Sequence, residues 1–219
     1  MDVDKDVDED EIVLRPQGRL ELPPPSSHLP LVLFVYGIGV VLSMLSWNPQ
    51  LDLDLAVSQE LVFGEGKYWR LLTALAAHAD WEHLLGNAPL FVIFGWLLRS
   101  YFGLWFFPFL QLLAGVLVNL ATILCYEPWQ QLLGCSGMVY AMVGIWLVLY
   151  LRFEVRFSLP MRVFRCVGFT LILLFPSSFH PTTSYLAHTF GFCFGFILAG
   201  QGKRIIRMLA ITKPRFSKN

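Results

Sequence analysis

Six long apolar stretches dominate the chain, and the shorter segments between and around them carry most of its charge. The stretches cover about 29–47, 82–99, 103–125, 136–151, 162–176 and 183–200. A helix needs about 20 apolar residues to cross about 30 Å of hydrocarbon, and most of the six approach that length. The fourth and fifth are shorter, but a helix enclosed by its neighbours need not reach both membrane surfaces. The pattern therefore predicts an all-α membrane protein, a bundle of six transmembrane helices.

The composition also favours a membrane protein. Of the 219 residues, 56% are hydrophobic, and the mean hydropathy is +0.58, whereas soluble domains contain about 45–50% apolar residues. Eight of the sixteen carboxylates lie in 1–28, and six of the sixteen basic residues lie in 203–219. Because a segment as acidic as 1–28 cannot bury a hydrophobic core, we predict that it forms a disordered acidic N-tail. A six-helix membrane domain over 29–202 and a basic C-tail over 203–219 complete the predicted organisation.

The positions of lysine and arginine predict the orientation in the membrane. Fourteen of the sixteen basic residues lie in the tails, at the end of the second stretch and around the loop after the fourth, whereas Lys67 and Arg70 lie on the opposite side. Basic residues remain cytoplasmic, so we expect both termini there, in a bacterial inner membrane because no targeting segment is recognisable. A net charge of zero, without aromatic residues among the basic ones, argues against nucleic acid as a partner.

The four cysteines lie in or beside apolar stretches and show no Cys-x-x-Cys spacing. They are Cys125, Cys135, Cys166 and Cys193. This placement argues against a disulfide framework. We therefore expect them to be small buried residues.

Three chemically reactive side chains lie at or near the start of even-numbered stretches. His83 opens the second stretch, Ser136 opens the fourth, and His188 lies near the start of the sixth. Polar and ionisable side chains inside a membrane are costly and usually functional. Since even-numbered helices begin on the external side in the predicted orientation, all three should lie at a similar depth in the outer leaflet. We interpret them as one site.

Acyl transfer is the chemistry that a serine and a histidine permit together. A serine hydroxyl is a weak nucleophile unless a base removes its proton, and the imidazole of His188 is a candidate base for Ser136. Their helices must approach closely, which small residues at a spacing of four allow. Such pairs are Gly137 with Ala141 and Gly191 with Gly195.

An oxyanion formed during acyl transfer requires hydrogen-bond donors. The backbone N–H of Ser136 is available at a helix N-terminus. His83 and Asn87 are four residues apart and share one face of the second helix, so their side chains could reach the same point. Asp80 and Glu82 are assigned to loop structure or solvation. The sequence therefore predicts a Ser-His dyad without a carboxylate.

These motifs and their order resemble the rhomboid intramembrane serine proteases over roughly residues 29–200. The resemblance rests on Trp69-Arg70-Leu71-Leu72-Thr73, then His78-x4-His83-x3-Asn87, then Gly134-Cys135-Ser136-Gly137 with Tyr140, and finally Ala187-His188-x2-Gly191-x3-Gly195. It implies that Ser136 is the nucleophile and His188 the general base, with an oxyanion hole of His83, Asn87 and the Ser136 amide. It also implies that Tyr140 stacks on His188 and that His78 organises the first loop. The short length and the lead-in also resemble the rhombosortase subgroup.

The implied activity is hydrolysis of peptide bonds in or near transmembrane segments of membrane-protein substrates, on the non-cytoplasmic side of the lipid bilayer. No cofactor is expected, and no metal, because His78 and His83 are five residues apart and nearby thiolates are lacking. Two alternatives stay open. One is a catalytically inactive relative that binds transmembrane clients. The other is a small transporter, which would place polar residues through the bilayer midplane.

Overall fold

The computed structural model describes residues 20–174 and 183–200, so the basic C-tail predicted over 203–219 lies outside the described residues. Six apolar helices follow one another in it. They are α1 (Leu29–Ser46), α2 (Trp81–Phe102), α3 (Leu110–Ile123), α4 (Ser136–Phe153), α5 (Leu159–Leu174) and α6 (Tyr185–Gly200). Within the described ranges the regular secondary structure is helical, so the predicted all-α membrane fold is confirmed.

The lengths of the helices decide which of them cross the membrane unaided. Among residues 20–174 and 183–200, four segments are long and apolar enough: Ser26–Ser46, Trp81–Phe102, Trp105–Ile123 and Ser136–Phe153. Helices α5 and α6 each have 16 residues in the part of the chain that is described. The count of six spans therefore stays a prediction.

Helix α4 is the central element of the bundle. It contacts α2, α3, α5 and α6, and most of its residues between Gly137 and Leu149 are buried. Helix α1 lies at the periphery against α2. Several of its apolar side chains are exposed, as expected for a helix at the lipid boundary, among them Leu33, Phe34, Ile38 and Val41. Because α4 is enclosed, Ser136 at its start lies inside the bundle rather than at the lipid boundary.

The segment before α1 is packed against the domain. Leu20 is 4% exposed, and the carbonyl oxygens of Leu22 and Pro25 accept hydrogen bonds from Tyr101 at 2.7 Å and Trp96 at 2.9 Å. The prediction of disorder over 1–28 is therefore wrong for residues 20–28, because apolar and carbonyl groups there find partners at the end of α2. The remainder of the predicted N-tail lies outside the described residues.

The loop between α1 and α2 is attached to the segment that precedes α4. Val57 and Leu132 exchange backbone hydrogen bonds of 2.9 and 2.8 Å. Arg70 donates to the carboxylate of Asp54 at 2.8 Å and to the carbonyl oxygen of Ala56 at 2.7 Å. This arginine belongs to the Trp-Arg-Leu-Leu-Thr motif, so the motif holds the loop in the position that fixes the entry into α4.

Candidate active site

A turn that requires glycine sets the position of Ser136. Gly134 has a φ angle of +117°, a region that residues with a β-carbon rarely adopt. A side chain there would also overlap the ring of His83. The Gly134 N–H donates to the carbonyl oxygen of Ala74 at 2.8 Å. The turn therefore delivers Ser136 to the first position of α4, where backbone N–H groups have no partner within the helix.

His188 lies in the first turn of α6 between two aromatic rings. The ring of Tyr140 stacks on it, with centroids 4.1 Å apart and planes inclined by 9°. Tyr185 meets it edge-on at a centroid distance of 6.0 Å. Ser184 accepts a hydrogen bond from the Ala187 N–H at 3.1 Å and so caps the start of the helix. The cap and the stacked ring together fix the orientation of the imidazole.

Helices α4 and α6 touch at backbone distance beside these residues. A β-carbon added to Gly137 would lie 3.3 Å from the carbonyl oxygen of Ala187, and one added to Gly191 would overlap the carbonyl of Gly137. A β-carbon at Gly195 would likewise overlap the carbonyl of Ala141. The predicted spacing of small residues thus forms the contact between the two helices.

This contact brings Ser136 and His188 to adjacent positions on facing helices. Ser136 immediately precedes Gly137, and His188 immediately follows Ala187, which are the two residues in contact. Both side chains are partly buried. Among the hydrogen bonds of residues 20–174 and 183–200, none joins the Ser136 hydroxyl to the imidazole. Catalytic hydrogen bonds are often long without substrate and shorten in the complex.

His83 lies over the turn that precedes Ser136. Asp80 caps α2 by accepting the His83 N–H at 2.7 Å, which agrees with the structural role expected for this carboxylate. A β-carbon at Gly134 would lie 2.8 Å from Nε2 of His83. On the other side of Ser136, Gly137 contacts Ala187, the residue before His188. The starts of α2, α4 and α6 therefore lie close to one another.

Asn87 lies one turn after His83 on α2 and is 7% exposed. Its amide donates to the carbonyl oxygen of His83 at 2.8 Å. One N–H of the amide is thus used within the helix, and an asparagine amide has a second N–H that can serve another acceptor.

His78 lies outside the membrane-spanning helices and connects α1 to the residue before Ser136. It is 1% exposed, and its carbonyl oxygen accepts the indole N–H of Trp47 at 2.7 Å. Its ring lies 3.2 Å from the hydroxyl of Ser43 and 3.3 Å from the thiol of Cys135. The resemblance suggests that His78 organises the first loop. The structure shows two further contacts of its ring, one with α1 and one with the residue before α4.

We expect His78 to make the stability of the fold depend on pH. Burial is the main cause that lowers the pKa of His78 from 6.5 to about 4, the charge of His83 lowers it further, and Asp80 opposes both. Between about pH 4 and 6.5 the unfolded chain binds a proton that the folded chain does not, so stability is full above pH 6.5 and falls as the pH drops towards 4. The effect is about 3 kcal/mol.

Thermal unfolding in detergent between pH 4 and 8 measures this dependence. His78→Asn, which cannot titrate, should show a weaker dependence on pH over the same range. An equal slope for the variant and the wild type would contradict the assignment.

The contacts of Ser43 and Cys135 with His78 could not be predicted from the sequence. Ser43 is a single serine in an otherwise apolar helix, a pattern typical of a local hydrogen bond to the helix backbone. Cys135 was expected to be a small buried residue, and it is free and buried, as is Cys166, whereas Cys125 and Cys193 are exposed. Only the fold shows that His78 lies between the serine and the buried thiol.

The fold and the site define an integral membrane protein whose helical bundle holds a serine and a histidine on two facing helices. The family model for the Rhomboid domain matches residues 65–202, and the chain belongs to the rhomboid family. The match does not distinguish subgroups, so the rhombosortase assignment stays a prediction.

Two relatives are similar along most of this chain. "Putative rhomboid protease YdcA" of Bacillus subtilis (strain 168) is 27% identical over 177 residues, which are 78% of this chain and 87% of that protein. "Rhomboid-related protein 2" of Mus musculus is 27% identical over 165 residues, which are 72% of this chain and 52% of that protein.

Proposed function

We propose that this protein is an intramembrane serine endopeptidase that cleaves membrane-protein substrates with a Ser136–His188 dyad. The observation that carries the proposal is the backbone contact of α4 and α6 at Gly137 and Ala187, directly beside both side chains. Tyr140 supports it further, because its ring holds the imidazole of His188 from one side. Family membership and the printed name of the Bacillus relative favour the same activity.

In the proposed reaction, the Ser136 hydroxyl oxygen attacks the carbonyl carbon of the scissile peptide bond while His188 accepts the hydroxyl proton. The tetrahedral intermediate collapses when the C–N bond breaks and His188 gives that proton to the leaving amine. Water, deprotonated by His188, then attacks the acyl-enzyme ester, which releases the new carboxyl terminus and returns the proton to Ser136. Hydrolysis thus consumes one water and leaves the enzyme unchanged.

The negative charge on the intermediate would be stabilised by the Ser136 backbone N–H with the side chains of His83 and Asn87. The N–H lies at the positive end of α4. The ring of His83 lies over Gly134, close to that helix start. Loss of one such donor typically costs about 2.7–4 kcal/mol of transition-state stabilisation.

A substrate helix would enter from the lipid between α2 and α5. The two helices meet there through the rings of Phe94 and Phe169, whose centroids are 5.7 Å apart. One turn further along, α5 is held by a hydrogen bond from the Tyr140 hydroxyl to the Leu173 carbonyl oxygen at 3.4 Å. Separation of this part of α5 from α2 would break these two contacts and open a route to the site. Phe175, the last aromatic residue of the fifth apolar stretch, lies outside the described residues.

The orientation is part of the proposal. With both termini cytoplasmic, as the basic residues predict, the starts of α2, α4 and α6 face the external side of a bacterial inner membrane. Cleavage would then occur near that surface, where water can reach the site through the polar loop before α2.

Labelling with a fluorophosphonate probe tests the proposal directly. Purified protein in detergent should be labelled once, and Ser136→Ala should abolish both labelling and cleavage of a reporter membrane protein. Ser46→Ala is the matched control, because its hydroxyl only donates to the Ser43 carbonyl oxygen within α1. Wild-type protein that neither labels nor cleaves would favour a relative that binds transmembrane clients without catalysis. Cleavage by Ser136→Ala would refute the assignment of the nucleophile.

A further inference from the structure

A buried serine in the first helix is hydrogen-bonded to His78 through both the backbone and the ring. Ser43 is fully buried. Its hydroxyl oxygen accepts the His78 backbone N–H at 3.0 Å and lies 3.2 Å from Nδ1 of the same residue. The hydroxyl donates its own proton to the Gly39 carbonyl oxygen at 2.7 Å. Every hydrogen-bonding position of Ser43 is therefore used.

This arrangement determines which nitrogen of His78 carries the proton. A hydroxyl has one proton and two lone pairs, and the proton of Ser43 is committed to Gly39. The oxygen can then only accept from the ring, so Nδ1 must be the protonated nitrogen. It follows that Nε2 of His78 has a free lone pair and acts as an acceptor.

That lone pair faces the residue that precedes the proposed nucleophile. Nε2 lies 3.3 Å from the Cys135 thiol and 3.5 Å from the Cys135 backbone N–H. Cys135 is 2% exposed and occupies the N-cap position of α4. The backbone N–H can only donate, and the thiol can donate as well as accept, so both contacts fit a ring with its proton on Nδ1, whereas the opposite tautomer would leave the backbone N–H without its acceptor.

We propose that Ser43 and Cys135 are positioning residues for the active site, because Ser43 fixes the tautomer of His78 and His78 then holds the backbone at Cys135, where α4 begins. The inference rests on the proposed function of Ser136. The peptide between Cys135 and Ser136 carries the N–H assigned to the oxyanion hole, so its direction follows from how Cys135 is held. A displacement of about 1 Å at a reacting group can cost about 10²-fold in rate.

The tautomer can be measured without reference to activity. In protein labelled with ¹⁵N-histidine, long-range ¹H–¹⁵N spectra distinguish the two neutral forms, and His78→Asn identifies the His78 signals among the five histidines. We expect the Nδ1–H form in the wild type and in Ser46→Ala. Ser43→Ala should populate the Nε2–H form, because Nδ1–H loses its acceptor. The Nε2–H form in the wild type, or an unchanged tautomer in Ser43→Ala, would overturn the proposal.

Kinetics test the connection to catalysis. Ser43→Ala and Cys135→Ala should each lower kcat for a reporter substrate by about 10-fold with little change in KM, because they displace the Ser136 amide and not the substrate. The double variant should be no slower than the slower single variant, since both act through His78. Cys135→Ser keeps a donor for Nε2 and should recover most of the activity.

Multiplicative losses in the double variant, or losses confined to KM, would reject the positioning role. Cleavage by Ser136→Ala would instead reject the proposed function, while the tautomer result would stand. The two failures are therefore distinguishable.

Discussion

Replacing His188 with alanine should lower kcat for a reporter membrane protein by about 10⁴-fold or more, because the Ser136 hydroxyl then lacks a base. In this structure the imidazole lies between the rings of Tyr140 and Tyr185. Alanine at position 188 would leave both aromatic rings but no base. The double variant with Ser136→Ala should be about as slow as either single variant, since residues of one catalytic unit do not contribute additively. Quantification of cleaved reporter over time measures the rates.

Thr189→Ala is the matched control for this prediction. Thr189 follows His188 on α6, is exposed, and its hydroxyl donates to the Tyr185 carbonyl oxygen at 2.9 Å within the helix. Its loss should leave cleavage and thermal stability close to those of the wild type. If His188→Ala retained activity within 10-fold of the wild type, His188 would not be the base.

The sequence was sufficient to predict the helices and the contact between the fourth and sixth of them. Membrane helices can be predicted from sequence because a segment that crosses the lipid is apolar over about 20 residues. Their closest contact is visible because backbones approach only where side chains are small, as at Gly137 and Gly191. Both signals are local in the chain, and neither depends on where a distant residue lies.

The hydrogen bonds of the site were much less accessible from the sequence. Asn87 shares a helix face with His83, as its spacing predicts. The spacing does not show that the Asn87 amide donates a hydrogen bond to the His83 carbonyl oxygen. Ser43 and Cys135 are 92 positions apart in numbering yet share the ring of His78. Spacing along one helix cannot reveal a contact that needs three separate segments.

The segment before α1 shows a similar limit. Its composition predicts disorder, yet residues 20–28 pack because the aromatic side chains Trp96 and Tyr101 at the end of α2 supply donors for their carbonyl groups. A composition argument averages over the whole segment, whereas ordering depends on a few partners supplied by another element.

The second large effect is expected from Gly191→Ala, which tests the contact on which the site depends. The added methyl carbon would lie 3.0 Å from the carbonyl carbon of Gly137 and closer still to its oxygen. Because these are backbone atoms, no rotamer change relieves the overlap, and α4 and α6 must separate. We expect a loss of about 1–3 kcal/mol in the free energy of unfolding, and a loss of cleavage of about 10²-fold from displacement of His188 relative to Ser136.

Gly37→Ala separates this effect from the general consequence of replacing a helical glycine. Gly37 lies within α1, and a β-carbon added there would meet nothing within 4 Å. Alanine is favoured over glycine in a helix by about 0.5–1 kcal/mol, so Gly37→Ala should leave cleavage unchanged and stability equal or higher. Unfolding in mixed detergent micelles compares both variants with the wild type. Because the same methyl group is added in each case, equal stability and activity of the two variants would show that α4 and α6 do not pack at Gly191.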